Sequence, residues 1–273
     1  MAIGVFDSGL GGLTVLRHLL QRLPGQDFVF YGDNRHAPYG PRAPEQIHEL
    51  TEAAVARLFD EGCELVILAC NTASAVSLRR LQETWLPQTA PDNRVLGVFV
   101  PVIEALTGRP WGYRGPPMPS RLRSAVLFGT RATVASGAFR RETVLRASGV
   151  QVVEQPCPTL VNAIEANDLP RAGELVRGFV AKALRQCPRP QAAVLGCTHY
   201  PIVESAFRAA LPSGTRILIQ PQIVADSLVD YLLRHPRFAG GAGRLRLLTS
   251  GDPDQIATAA AHALGQPASF AAA

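Results

Sequence analysis

Residues 65–72 read Leu-Val-Ile-Leu-Ala-Cys-Asn-Thr, and residues 193–199 read Ala-Val-Leu-Gly-Cys-Thr-His. Each is a short apolar strand run, then a turn carrying a cysteine beside small hydroxyl or amide residues, then the start of a helical pattern. A chain that repeats such a unit in its two halves is built for two similar lobes facing each other across a cleft. The rest of the chain fits this reading. Strand runs are predicted at Ile3–Phe6, Phe28–Tyr31, Leu65–Leu68, Val95–Phe99, Ala125–Phe128, Val150–Val153, Ala192–Leu195, Arg216–Ile219 and Leu245–Leu248, with helical patterns between them. The clearest helix runs from Glu45 to Glu61, where Ile47, Leu50, Ala54 and Leu58 recur at helical spacing and Gly62 follows as a stop. Such alternation defines an α/β protein with mostly parallel sheets, and its 273 residues suffice for two modest lobes.

Composition narrows the function classes. The N-terminus has no basic stretch followed by an apolar core, and no apolar run approaches membrane-spanning length, so the expectation is a soluble cytoplasmic protein without a membrane partner. The five cysteines include no CxxC pair or Cys/His cluster of zinc spacing, which leaves no metal site and no disulfide framework to propose. A net charge of +5 comes from scattered basic residues, all arginine but Lys182, without a basic helix or stacking aromatics, so it does not point to nucleic acid. Residues 108–123, GRPWGYRGPPMPSRLR, lack apolar periodicity and read as an exposed, insertion-like loop in which Trp111 and Tyr113 pack locally.

The chemistry lies in the two cysteine turns. Ligands of open α/β sheets gather at the carboxyl ends of strands, beside helix N-termini that offer free N–H groups. Cys70 and Cys197 both fall there, and a helix N-terminus is expected to lower a thiol pKa toward neutrality, making the sulfur a usable acid or base. Asn71, Thr72 and Thr198 add donors suited to a carboxylate, and His199 stands two residues from a thiol whose proton it can share. A lone free cysteine is most often a small buried apolar residue, the reading kept for Cys63, Cys157 and Cys187; the paired setting lifts Cys70 and Cys197 out of that class.

Near the N-terminus, Asp7-Ser8-Gly9-Leu10-Gly11-Gly12 follows a strand and precedes the helical run Leu13 to Leu20. Thr14 stands where a dinucleotide fingerprint needs its third glycine, so the turn is read instead as bringing N–H groups and the Asp7 carboxylate to the cleft. A second polar turn, Tyr31-Gly32-Asp33 with Ala37-Pro38-Tyr39-Gly40-Pro41, reads equally well as an ordinary turn or as part of the site.

These motifs, in order and spacing, closely resemble the glutamate racemase family: Asp7-Ser8-Gly9 with Gly11-Gly12, Pro38-Tyr39-Gly40, Cys70-Asn71-Thr72-Ala73-Ser74 and Gly196-Cys197-Thr198-His199-Tyr200-Pro201. Gly129-Thr130 with Thr133, and Cys157-Pro158 followed by Glu165, look like further family landmarks, and the similarity runs from residue 3 to roughly 235. The resemblance implies two pseudo-twofold-related lobes with the active site between them, the first built from 1–98 plus 208–273 and carrying Cys70, the second from 99–207 and carrying Cys197. It implies cofactor-independent interconversion of L- and D-glutamate for peptidoglycan synthesis. The cysteine matching Cys70 acts on D-glutamate and the one matching Cys197 on L-glutamate, with Asp7, Glu165 and His199 in support. Substrate contacts carried over by resemblance fall on Asp7, Ser8, Tyr39, Gly40, Asn71, Thr72, Thr133, Thr198 and His199, and a homodimer is a family expectation.

The sequence independently disfavours pyridoxal phosphate, because Lys182 is the only lysine and sits in a helical pattern from Ala172 to Gln186, far from any phosphate-binding turn. Departures from the family pattern are Pro41 and Ala43 where small polar residues are typical, Phe139 where tyrosine is common, and Gln220 where aspartate is frequent. The rival readings are a sister racemase acting on aspartate or another acidic amino acid, though the related aspartate and hydantoin racemases usually lack the histidine after the second cysteine; a non-catalytic binding protein such as a DNA gyrase inhibitor; and a cysteine hydrolase, which leaves the second thiol without a task.

Overall fold

In the computed structural model, which describes residues 1–273, the first strand β1 (Ala2–Asp7) is buried on both faces, as a central strand of a covered parallel sheet must be. It leads into α1 (Leu13–Arg22), β2 (Asp27–Gly32), α2 (Pro44–Asp60), β3 (Cys63–Leu68) and α3 (Asn71–Arg80). A wide turn over 81–85 extends α3 into the short α4 (Leu86–Thr89), and β4 (Arg94–Gly97) follows. Local sequence explains these boundaries. Pro44 begins α2 where a missing N–H costs nothing, Ile47, Thr51, Ala54, Val55 and Leu58 bury its inner face, and Gly62 leaves the turn at φ +83°, open to glycine without strain.

The chain then forms α5 (Phe99–Thr107), β5 (Met118–Pro119), β6 (Ser124–Gly129), α6 (Arg131–Ala135), α7 (Ala138–Arg146), β7 (Ala147–Ser148) and β8 (Gln151–Pro156). Next come α8 (Leu160–Glu165), α9 (Leu169–Gln186), β9 (Ala192–Gly196), a tight turn over Tyr200–Val203, α10 (Glu204–Ala210) and β10 (Arg216–Leu218). It closes with α11 (Gln220–Arg234), β11 (Leu245–Thr249), α12 (Pro253–Leu264) and β12 (Ala271–Ala272).

Two main sheets result, with orders β12-β11-β2-β1-β3-β4 and β10-β9-β6-β8, and every pairing in them is parallel. The run β2-β1-β3-β4 in the first sheet has the same connectivity as β8-β6-β9-β10 in the second: the first strand is flanked by the second and third, with the fourth outside. Cys70 follows the third strand of one unit and Cys197 the third of the other.

Alternation along the strands sorts side chains between cores. Ile3, Val5, Leu65 and Ile67 of the first sheet join Ala125, Leu127, Ala192 and Val194 of the second in one cluster of 33 buried residues. Phe6, Val66 and Leu68 point the other way, into a cluster of 17 that includes Cys63 and Cys70. Val126, Phe128, Ala193 and Leu195 face a third cluster of 20 with Cys157, Cys187 and Cys197. The largest core is therefore the one the sheets share.

Three sequence expectations change. The strand expected at Val95–Phe99 stops at Gly97, because Val98 already has helical backbone angles and Phe99 opens α5, its ring edge-on to Phe139 at 5.5 Å; Pro101 is tolerated in that first turn. The division expected at 207/208 falls inside α10, and Arg216–Leu218 still pairs with Ala192–Val194, so the chain returns to the first sheet only after Leu218. The 108–123 stretch is mostly exposed, but it is organised around buried Arg109, whose guanidinium donates to the carbonyls of Tyr113 (3.0 Å), Gly115 (2.8 Å), Pro116 (3.1 Å) and Arg146 (2.6 Å).

Candidate active site

The carboxyl ends of β1, β3, β6 and β9 converge on a small, partly open cavity of about 30 Å³. Cys70, Asn71 and Thr72 line it from the first lobe with Ser8, Gly9, Pro38, Tyr39 and Gly40, while Thr130, Val161, Glu165, Cys197, Thr198 and His199 line it from the second. Both sulfurs thus reach one chamber from opposite sheets. A larger cavity of about 580 Å³, between α3, α5, α7 and α11 and edged by the Arg109 loop, contains neither thiol. Both cysteine turns belong to the smaller chamber.

Cys70 caps α3: its Sγ accepts from the N–H of Ala73 at 3.5 Å and its thiol donates to Ser8 Oγ at 3.4 Å. Burial, and then the neighbouring Asp7 carboxylate, push this thiol up to about 12 despite those contacts. The expected lowering by the helix N-terminus is therefore reversed in the closed site, since desolvation of an anion outweighs a helix end. Asp7 is fully buried behind the chamber wall. Its Oδ2 accepts from Gly9 N–H at 3.0 Å and its Oδ1 from Thr198 Oγ1 at 3.5 Å. Burial raises its carboxyl above the ordinary range, against the opposing pull of His199 and the N–H groups of Gly12 and Gly9.

Cys197 has different company. His199 Nδ1 lies 3.8 Å from its Sγ, and His199 Nε2 meets Glu165 Oε1 at 3.1 Å. Burial works against a charged imidazole, but the hydrogen bonds and charges of Cys197 and Glu165 outweigh it and hold His199 well above the ordinary histidine value. No regular helix follows directly; the tight turn at Tyr200 intervenes, with Pro201 in its first positions.

Tyr39 lines the chamber, and its hydroxyl is engaged by Asp33, donating to Oδ2 at 2.6 Å, while Ser250 Oγ donates to the other Asp33 oxygen at 2.6 Å. Of the residues singled out in the sequence, Asp7 and Thr133 do not line the chamber. Thr133 is fully buried and receives Thr130 Oγ1 at 3.0 Å, with Thr72 Oγ1 at 3.4 Å. Two chamber residues were not among the expected substrate contacts: Val161, and Thr130, a family landmark in the sequence that is the N-cap of α6 and whose Oγ1 lies 3.0 Å from Thr72 Oγ1 across the lobe boundary. The signal was present: Thr130 follows the first strand of its unit as Asp7-Ser8 end and follow theirs. Gly11 and Gly12 are fixed by close approach, since a Cβ on Gly11 would sit 2.3 Å from Thr198 Oγ1 and 2.8 Å from the His199 ring, and one on Gly12 2.5 Å from Asp7 Cβ.

Two thiols presented to one chamber from equivalent turns are the arrangement a two-base isomerase needs to invert a carbon acid, taking a proton from one face and returning one to the other. The chain belongs to the Asp/Glu/Hydantoin racemase family, whose sequence model matches residues 3–227. It is 53% identical to a glutamate racemase of Dinoroseobacter shibae over 272 residues, covering 100% of this chain and 98% of the other. Among solved structures it superimposes on a glutamate racemase isoform of Bacillus anthracis with a TM-score of 0.86, 26% identity and coverage of 100% and 97%. It also superimposes on the Thermus thermophilus glutamate racemase in complex with β-chloro-D-alanine, with a TM-score of 0.80, 30% identity and coverage of 100% and 96%.

Proposed function

We propose that this chain interconverts L- and D-glutamate by a two-base mechanism in which Cys70 and Cys197 act on opposite faces of Cα without a cofactor. The observation that carries the proposal is the entry of both thiols into one chamber from equivalent turns of two lobes. Burial favours Cys70 as a thiol, and L-glutamate turnover then runs in one sense: the Cys197 sulfur takes the α-proton while the Cys70 S–H gives its own to the other face. One C–H bond breaks and one forms, and the two sulfurs exchange protonation states. D-glutamate then meets the complementary form.

Charge on the α-carboxylate side is stabilised by preorganised donors: Ser8, Thr72 and Thr198 hydroxyls, the Asn71 amide and the N–H groups at the start of α3. Asp7 and the His199–Glu165 pair tune the thiols. Tyr39 and Gly40 close one wall, and Thr133 supports Thr130 and Thr72 from behind. A chamber of about 30 Å³ has room for little more than water, so substrate entry parts the lobes, the first comprising residues 1–98 with 219–273 and the second residues 99–218. The contacts that give way are Thr72–Thr130 and Thr198–Asp7.

No helix is long and apolar enough to cross a membrane. Cytoplasmic residence, a homodimer and the supply of D-glutamate to peptidoglycan follow from the family reading. The test is incubation of each glutamate enantiomer with the purified protein in heavy water. Loss of optical activity with α-deuterium incorporation from both enantiomers supports the reading; inactivity on glutamate with turnover of aspartate moves the protein to the sister racemases.

A further inference from the structure

We propose that Gln220, at the seam where the chain returns from the second lobe to the first, is a positioning residue for the Cys70 half of the site, acting through Asn71. The inference rests on the racemase reading above. Asn71 is the first residue of α3, next to Cys70, and Gln220 is the first residue of α11, two residues after the last strand of the second sheet. Their side-chain amides form a reciprocal pair: Asn71 Nδ2 donates to Gln220 Oε1 at 2.6 Å, and Gln220 Nε2 donates to Asn71 Oδ1 at 2.6 Å. Both residues are 2% exposed.

Two buried amides are costly unless each satisfies the other, and apolar residues of similar shape would pack the seam without that liability. What the pair supplies is geometry. An amide side chain has two donor hydrogens and two acceptor lone pairs, so the pair uses one of each on Asn71, fixes the plane of its amide and leaves one N–H for the chamber that Asn71 lines. It also ties the first residue of α3, whose N-terminal turn contacts the Cys70 sulfur, to the return point between the lobes. Opening the lobes at that seam therefore bears on one thiol more than on the other. The second lobe has no such clamp, since Thr198, in the place of Asn71, reaches Asp7 through a single hydroxyl contact.

The experiment compares wild type, Gln220→Met, Gln220→Glu, Asn71→Ala and the Asn71→Ala/Gln220→Met double variant. Racemisation of glutamate is one readout, and alkylation of Cys70 and Cys197 by iodoacetamide, followed by peptide mass spectrometry, is the other. Gln220→Met keeps the volume but strands the Asn71 amide, and kcat/KM is expected to fall about tenfold or more. In the Asn71→Ala background the same change costs no further activity, within about twofold. Gln220→Glu reproduces both bonds only while its carboxyl is protonated, so its activity relative to wild type falls as pH rises from 6 to 9. Alkylation shifts severalfold at Cys70 and stays at the wild-type rate at Cys197. Additive losses in the double variant, a flat pH ratio for Gln220→Glu, or equal shifts at both thiols overturn the proposal. Alkylation needs no turnover, so a wild type silent on glutamate sinks the racemase reading while the clamp is still judged.

Discussion

The two thiols of one chamber sit in unlike surroundings. Cys70 is a helix cap flanked by Ser8 and a buried carboxyl, and burial holds it as a thiol. Cys197 has His199 beside it, itself held cationic with help from Glu165. The difference teaches that equivalent topology fixes where the two thiols stand but not the electrostatic setting of each; that is decided by the nearest charge and the degree of desolvation. L- and D-glutamate have equal free energy, so kcat/KM must be the same in both directions whatever the asymmetry. Half-site differences are read instead from the chemistry of the individual sulfurs.

The largest effect tests whether both halves are needed at all. Cys70→Ser and Cys197→Ser are each expected to lower racemisation of both enantiomers by about a thousandfold, followed by circular dichroism; a serine variant that still racemises at a tenth of the wild-type rate breaks the two-base comparison. Next is Gly11→Ala, which drives a methyl group into Thr198 and His199. Displacing that side by a fraction of an ångström is expected to cost about a hundredfold in kcat/KM, and to alter alkylation of Cys197 more than of Cys70.

His199→Gln removes the cation from the second half-site, with an expected loss of about thirtyfold in kcat/KM, the scale of a lost charge-assisted hydrogen bond. It also has a stability signature. Because the folded value of His199 lies above the ordinary one, its contribution is fully present below the unfolded value of about 6.5 and is lost as pH rises through the folded value. The Tm gap between wild type and His199→Gln therefore narrows on the alkaline side. Asp7→Asn gives the smallest stability change. The raised Asp7 carboxyl favours the fold at low pH and loses that advantage as pH rises through its folded value, so the variant gains stability relative to wild type as pH rises to neutrality while Cys70 alkylation quickens. Unchanged alkylation would separate Asp7 from the Cys70 thiol.

Much of this arrangement was legible in the sequence, for a reason visible in the strands. All nine expected strands exist, because runs such as Leu65–Leu68 and Ala192–Leu195 are apolar at both parities, as burial on two faces demands. The two-residue strands β5, β7 and β12 were not legible, since Met118-Pro119, Ala147-Ser148 and Ala271-Ala272 carry no period. The residues brought to the chamber by strand ends, Ser8, Cys70 and Cys197, announce themselves as motifs. Val161 arrives there through the juxtaposition of lobes, which no local pattern encodes. The direction of the Cys70 shift was not legible either, because the sequence displays the helix end but not the depth of burial.

The matching connectivity of the two four-stranded units has a consequence for how such a site can arise. A dimer of one such unit, with a twofold axis through the cleft, would present two sulfurs to a shared chamber, yet symmetry would oblige both to have identical neighbours. Glutamate is not symmetric about its α-carbon, and its hydrogen is approached past different groups on either side. Fusing the two units into a single polypeptide lifts that obligation. Each copy can then be revised on its own, one acquiring an imidazole beside its sulfur and the other an amide anchored at the junction.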